Sequence, residues 1–248
     1  MPAVRHLRNA PITEAILDFR VQSRPEFLVE EFATLKKQLA TRFPVVDEQR
    51  GLEATIPMAG GKGQPSVRQL GLQGYFFKTQ DLKTIAQFRV DGFTYNRLQP
   101  YTSWGELFPE ALALWREYCN VAAPRVTTRL ALRYINRIPL PSPPFEFERY
   151  LQAAPLIPPE LPQAVSAFLT RITIHDAAAN VAAHISQALE NDPQTGRLSV
   201  IFDADAFKEG EIAPNDNSEI MAVFEALHSL KNKIFFNGLT EECLRQFE

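Results

Sequence analysis

The sequence predicts an α+β fold of two tandem, similar halves, residues 1–124 and 125–248. Each half is expected to be an antiparallel sheet with helices packed on one face. Three observations lead there. Segments of strand character are interleaved with segments of helical period. The order strand, helix, strands, helix runs twice along the chain. The tripeptide EAL also falls inside the closing helix of both halves, at 110–112 and 225–227. A three-residue match is weak alone, and the repeated order carries the duplication, which implies a pseudo-twofold axis within one compact unit.

The first element, ITEAILDFRV (12–21), places Thr13, Ala15, Leu17, Phe19 and Val21 on one face. Ile12, Glu14, Ile16, Asp18 and Arg20 fall on the other, the period-2 signature of a strand. In PEFLVEEFATLKKQLATRFP (25–44), Leu28, Phe32, Leu35 and Leu39 recur at threes and fours, which predicts an amphipathic helix ending before Pro44. GLEATIPM, RQLGLQGYFFKT and TIAQFRVDGFTYNRL then read as strands separated by glycine-bearing breaks, with AGGKGQPS (59–66) as a loop. Helix 103–119 opens with Ser103 and Glu106 in capping-box spacing, and Leu107, Ala111, Leu114, Trp115 and Tyr118 form its apolar face.

The second half opens with the strand RVTTRLALRYINRI (125–138). A proline-punctuated stretch follows, expected to hold one or two short helices. TRITIHDAAANVAAHISQAL and GRLSVIFDADAF supply strands. Helix 218–236 closes the half with Ile220, Val223, Phe224, Leu227, Leu230 and Ile234. It stands where helix 103–119 stands in the first half.

Composition limits the function. With 248 residues, 45% hydrophobic and 22% charged, the chain can bury a sizeable core, and eighteen Phe against two Trp and six Tyr predict plain aromatic packing. A net charge of −3 argues against nucleic acid, because no excess of Lys and Arg would release counterions. No apolar run reaches the ~18 residues of a membrane span, and the N-terminal stretch is interrupted by Glu14 and Asp18. Cys119 and Cys243 lack C-x-x-C spacing and read as buried reduced thiols, so a soluble cytoplasmic protein is expected.

The segment RLALRYINRI carries an arginine at every fourth position, Arg129, Arg133 and Arg137. Residues four apart in a strand share one face, about 13 Å apart. Leu130, Leu132, Tyr134 and Ile138 then fill the other face. Glu14 and Asp18 have the same spacing in the opening strand, so the leading reading is a charge ladder between the two strands, serving register more than stability. The competing reading is an anion site, since guanidinium groups clamp phosphate or carboxylate in bidentate fashion.

Signatures of catalysis are missing. The histidines show no metal spacing, and the glycines of GGKGQPS do not form a phosphate loop. Asp203 and Asp205 could offer two carboxylates to a divalent metal, but no third oxygen ligand lies nearby in sequence. No cofactor is expected.

Four stretches together, LRNAPITEAILDFRV, LQPYTSWGELFPEALALW, LRYINRI and LHSLKNKIFFNGLTEECLRQF, resemble a sporadically distributed bacterial family of uncharacterised proteins of about this length. The resemblance brings no established activity, so no catalytic residue is carried over. Patchy occurrence is typical of mobile modules, which implies a toxin–antitoxin, immunity or defence setting.

The leading expectation is a non-enzymatic binding or accessory protein, antitoxin-, immunity- or chaperone-like, acting on another bacterial protein. The alternatives are a sensor of a small anion or nucleotide in the cleft between the halves, with Arg133 and Arg137 as clamps, and a metal-dependent enzyme at Asp203 and Asp205. A homo-oligomer remains open. The candidate binding residues are Arg129, Arg133, Asn136, Arg137, Lys231, Asn232 and Phe235, whose polar or aromatic character exceeds what packing requires.

Overall fold

The computed structural model describes residues 7–55, 66–191 and 196–248, and its described part is an α+β structure. Most of the expected loop, residues 59–65, and the end of the strand expected at 51–58 lie outside the described residues. In chain order the strands are β1 (Ile12–Gln22), β2 (Val45–Thr55), β3 (Ser66–Lys78), β4 (Thr84–Arg89), β5 (Gly92–Leu98), β6 (Val126–Pro139), β7 (Leu169–Asp176), β8 (Val181–Asn191) and β9 (Leu198–Ile212). The helices are α1 (Leu35–Leu39), α2 (Trp104–Ala122), α3 (Asn217–Gly238) and α4 (Glu241–Leu244). Among the described residues these nine strands form one antiparallel sheet, in the order β2-β3-β4-β5-β1-β6-β9-β8-β7.

Alternation along the strands decides which face is covered. On β1, Ala15, Leu17 and Phe19 are fully buried beneath the helices, while Glu14, Asp18 and Arg20 turn to the other face. On β6, Leu130, Leu132, Tyr134, Asn136 and Ile138 share the helix side. Helices α2 and α3 cross this side antiparallel to one another. Trp104 Nε1 at the start of α2 donates to Glu225 Oε1 midway along α3, 3.0 Å away. Arg116, further along α2, reaches back to Asn217 at the start of α3. Phe19 stacks on Trp115 at 4.5 Å between centroids and meets Phe224 at 5.0 Å, so β1, α2 and α3 share one aromatic cluster. The main hydrophobic core runs from Leu7 to Phe247, a small separate cluster of Ala131, Ala182 and Phe207 lies apart from it, and the sheet is continuous across residues 124 and 125 through β1 and β6.

Both long helices begin on side-chain caps. Ser103 Oγ accepts from the Glu106 amide, and Asp216 Oδ1 accepts from the Glu219 amide, each satisfying an orphan first-turn donor. Cys119 and Cys243 are buried and unbonded to each other. No helix among the described residues is long and apolar enough to cross a membrane.

Three expectations are corrected. The helix expected over 25–44 is a 3₁₀ segment, Val29–Thr34, running into the short α1. Val29, Phe32 and Leu35 are buried at spacings of three, then Leu35, Leu39 and Phe43 at spacings of four, so the apolar pattern records a change of helical period at Leu35. Leu28, expected on the apolar face, is 64% exposed because it is the extended N-cap that precedes the 3₁₀ segment. The stretch TIAQFRVDGFTYNRL is a hairpin, β4 and β5, folded at Val90 and Asp91 with Gly92 opening β5. A Cβ on Gly92 would sit 2.1 Å from the Phe19 carbonyl oxygen, so the turn can pass β1 only as glycine. The proline-rich segment after β6 contains one 3₁₀ turn, Phe147–Arg149, and is otherwise irregular.

Candidate functional site

Strand β6 carries both groups of candidate residues, on opposite faces. Arg129, Arg133 and Arg137 point away from the helices. Arg133 makes a two-pronged bond to Asp203, at 2.9 and 2.6 Å. Arg129 bonds Asp205 at 3.0 Å and lies 3.6 Å from Asp18, with its guanidinium over the Phe207 ring. Arg137 pairs with Glu190 at 2.9 Å. The expected acidic strand is therefore largely the wrong neighbour. β6 is flanked by β9 as well as β1, and β9 supplies Asp205, directly across from Arg133, and Asp203 on its diagonal. Glu14 accepts instead from Asn96 at 2.6 Å, and Asp18 joins Arg20, Arg89 and Thr94.

This pairing bears on two earlier expectations. Arg133 and Arg137 are engaged by carboxylates on the sheet's open face and do not clamp anything in the cleft with Lys231. Asp203 and Asp205 are likewise held by Arg133 and Arg129, and no group of three metal-ligating side chains is present among the described residues. Burial raises the Asp205 carboxyl above its usual range against the pull of Arg129 and Arg133. Arg133 is 44% exposed, so its ion pair works largely in solvent. Replacing Arg133 by Leu is expected to change unfolding free energy by about 1 kcal/mol or less, read from a denaturant titration.

Asn136, Lys231, Asn232 and Phe235 come together on the helix side. They line a cavity of about 200 Å³ between the end of β6, α3, the start of α2 and the segment preceding β1. Leu7, Arg8, Tyr101, Trp104, Tyr134 and His228 complete the parts of the wall that matter here. No aspartate or glutamate lines it among the described residues.

Lys231 is the unusual group. It is only 7% exposed, on a helix face otherwise formed by Leu227, Leu230 and Ile234. Its ammonium lies 3.8 Å from the centroid of the Tyr134 ring, and no carboxylate pairs with it among the described residues. The ring face offsets part of the lost hydration but carries no net charge. Burial therefore drives the Lys231 pKa down to about 7.

The other polar side chains of the α3 and β6 wall are uncharged, while Glu225 on Trp104 and Glu106 near Tyr101 stand outside the lining. Burial, and then Lys231 itself, push His228 down to about 4, leaving an uncharged imidazole. Asn232 Nδ2 lies 3.3 Å from His228 Nε2, and the imidazole stacks on Trp104 at 4.5 Å. Tyr134 and Tyr101 share a hydrogen bond of 3.0 Å, and burial raises both phenols. Asn136 Nδ2 donates to the Phe202 carbonyl at 3.0 Å, which holds its amide in place. Arg8 lies exposed among the lining residues, and α2 begins at the cavity wall with Ser103 and Trp104. The first turn of α2 brings donors and the positive end of the helix dipole.

Sequence reasoning missed Arg8, Tyr101, Trp104 and Tyr134 as lining residues and read His228 as a bland histidine. The available signal was the order His228, Lys231, Asn232, which puts three polar groups on neighbouring positions of an otherwise apolar helix face.

Compared with protein-family models, curated proteins and solved structures, the chain matches none.

Proposed function

We propose that the protein binds a small anion, a carboxylate or a phosphate, in the cavity around Lys231. The carrying observation is the lysine itself: an ammonium removed from water, without an acidic partner among the described residues, in the wall of a cavity whose described lining has no carboxylate. Burying an unpaired charge is costly, and a bound anion is the missing compensation. Arg8 and the backbone donors at the start of α2 add the same sign of potential, opposed by Glu106 in that first turn. The volume sets the size. An apolar cavity of ~150 Å³ accepts benzene, so this one suits a ligand of roughly ten non-hydrogen atoms and excludes a dinucleotide.

The test is thermal unfolding with sodium phosphate or sodium propionate, against sodium chloride at matched ionic strength. At one hundred times the dissociation constant the wild type should gain ~2.7 kcal/mol, equivalent to about 5–10 °C in Tm for a chain of this length. The variant Lys231→Met should show no such gain. A wild type indifferent to both anions, or a variant that responds equally, overturns the proposal.

A second reading, the accessory protein acting on a bacterial partner, is favoured by a different place. Edge strand β7 leaves Leu169 and Ile172 at 74% and 55% exposure, and Leu156 and Leu161 stand exposed in the segment before it. An edge strand with exposed apolar side chains is suited to pairing with another chain. Membership of the sporadic bacterial family and its defence-type setting belong to this reading and rest on the quoted motifs. Residence in the cytoplasm is part of it too, supported by two unbonded cysteines.

We also infer an internal duplication. β1 and β6 are antiparallel neighbours at mid-sheet, each flanked on its outer side by the last strand before its own long helix. Nearly the same length of chain separates Ile12 from Trp104 as separates Val126 from Asn217. On this reading the cavity sits where the two copies meet.

A further inference from the structure

We propose that Lys231 forms a reversible imine with a small anion that carries a carbonyl group, a 2-oxo acid. The inference rests on the anion reading above and deepens it by naming the substrate class. Its basis is the disposition of groups. One side of the Lys231 ammonium is closed by the Tyr134 ring, and the residue forms part of the cavity wall. Arg8 and the first turn of α2 provide for the carboxylate of such a ligand. The carbonyl carbon, one bond from that carboxylate, is then the atom presented to Nζ.

The chemistry balances without a further reagent. The neutral amine of Lys231 adds its lone pair to the carbonyl carbon, and a proton passes from nitrogen to the former carbonyl oxygen. The resulting hydroxyl leaves as water with the second amine proton, and a C=N bond remains. One carbonyl and one amine give one imine and one water, with no change in oxidation state. The step needs a free amine, and a buried lysine is how proteins obtain one near neutral pH. A pKa of about 7 gives Lys231 a neutral fraction ~10³ times that of a solvated lysine at pH 7. The groups facing it do not undo this. His228 is neutral, the Tyr134 and Tyr101 phenols stay protonated, and Arg8 lies exposed at the segment before β1.

The experiment traps the imine. The full chain is incubated at pH 7 with pyruvate or glyoxylate and sodium cyanoborohydride, then digested and mapped by mass spectrometry. A single carboxyalkyl group on Lys231 is expected, formed at least ~10 times faster than on Lys36, Lys37, Lys83, Lys208 or Lys233 and competed by excess propionate. Labelling spread evenly over the surface lysines, or none at Lys231, overturns the inference. If propionate still raises Tm in that case, anion binding stands and only the covalent step falls. Lys231→Arg keeps the charge and cannot form an imine, so it should retain the Tm response and lose the label. The wild-type map decides the question even should that variant fold poorly.

Discussion

Replacing Lys231 by methionine is expected to make the protein more stable and to remove its response to anions. Below about pH 7 the folded protein holds an ammonium in a cavity with no counter-charge among the described residues, whereas the unfolded chain holds the same proton in water. From about pH 7 up to the ordinary lysine value of 10.5, the unfolded chain binds more protons than the folded one. Stability of the wild type should therefore rise with pH across that window, and the burial penalty is fully present below it. A displacement of this size corresponds to a penalty on the order of several kcal/mol at acid pH. Methionine has similar length, no charge and a sulfur that packs well against a ring such as Tyr134. A gain of about 2–4 kcal/mol at pH 6, shrinking towards pH 10, is the expected result of urea titrations of the two proteins. A variant less stable than wild type at pH 6 would mean that the ammonium has a stabilising partner, and the anion reading would lose its basis. A stabilised, unresponsive variant would fit the wider pattern in which binding sites are kept at a cost in stability.

How much of this could be read from the sequence differs between the fold and the site. Strand alternation in ITEAILDFRV and RLALRYINRI was legible because each strand buries one face only, and the faces assigned to Phe19 and Tyr134 agree with the structure. The capping signal at Ser103 was legible because it is local chemistry. Strand β2 was not legible before Gly51: it is a sheet edge, and VVDEQR carries polar residues that need no burial. The helix expected at 25–44 failed for another reason, since spacings of three and four mix in any helical window and only the contacts separate 3₁₀ from α.

The site shows the limits more sharply. The arginine ladder drew attention because three like residues at equal spacing are conspicuous, yet their partners come from Asp203, Asp205 and Glu190, far along the chain. Pairing across a sheet depends on strand order, and order is not written in any one segment. Lys231, Asn232 and Asn136 stood out as polar residues among apolar ones, which is a local property. That Arg8, Tyr101 and His228 meet them in one cavity depends on the antiparallel crossing of α2 and α3 over β6. Helix crossing leaves no mark in a window of ten residues.

That crossing can itself be tested at Phe19. Its ring is fully buried on β1, stacked on Trp115 of α2, 5.0 Å from Phe224 of α3 and 5.8 Å from Phe93 of β5. Phe19→Ala removes contacts to both long helices at once and leaves a cavity that a sheet strand cannot collapse to fill. The expected loss is ~3–5 kcal/mol, equivalent to about 10 °C in Tm. The form of the transition carries more information than its midpoint. One core joins the strands and helices on both sides of residues 124 and 125, so the whole protein should unfold in a single step. Tryptophan fluorescence, which reports on Trp104 and Trp115, and far-ultraviolet circular dichroism, which reports on the whole sheet, should shift together in the variant. If residues 1–124 and 125–248 instead unfolded independently, the fluorescence transition would move while part of the dichroism change stayed at the wild-type midpoint. A cavity walled by both portions, as the one at Lys231 is, could then open by their separation. With a shared core, its wall at Tyr134 and Phe235 is held in the same packed layer as Phe19.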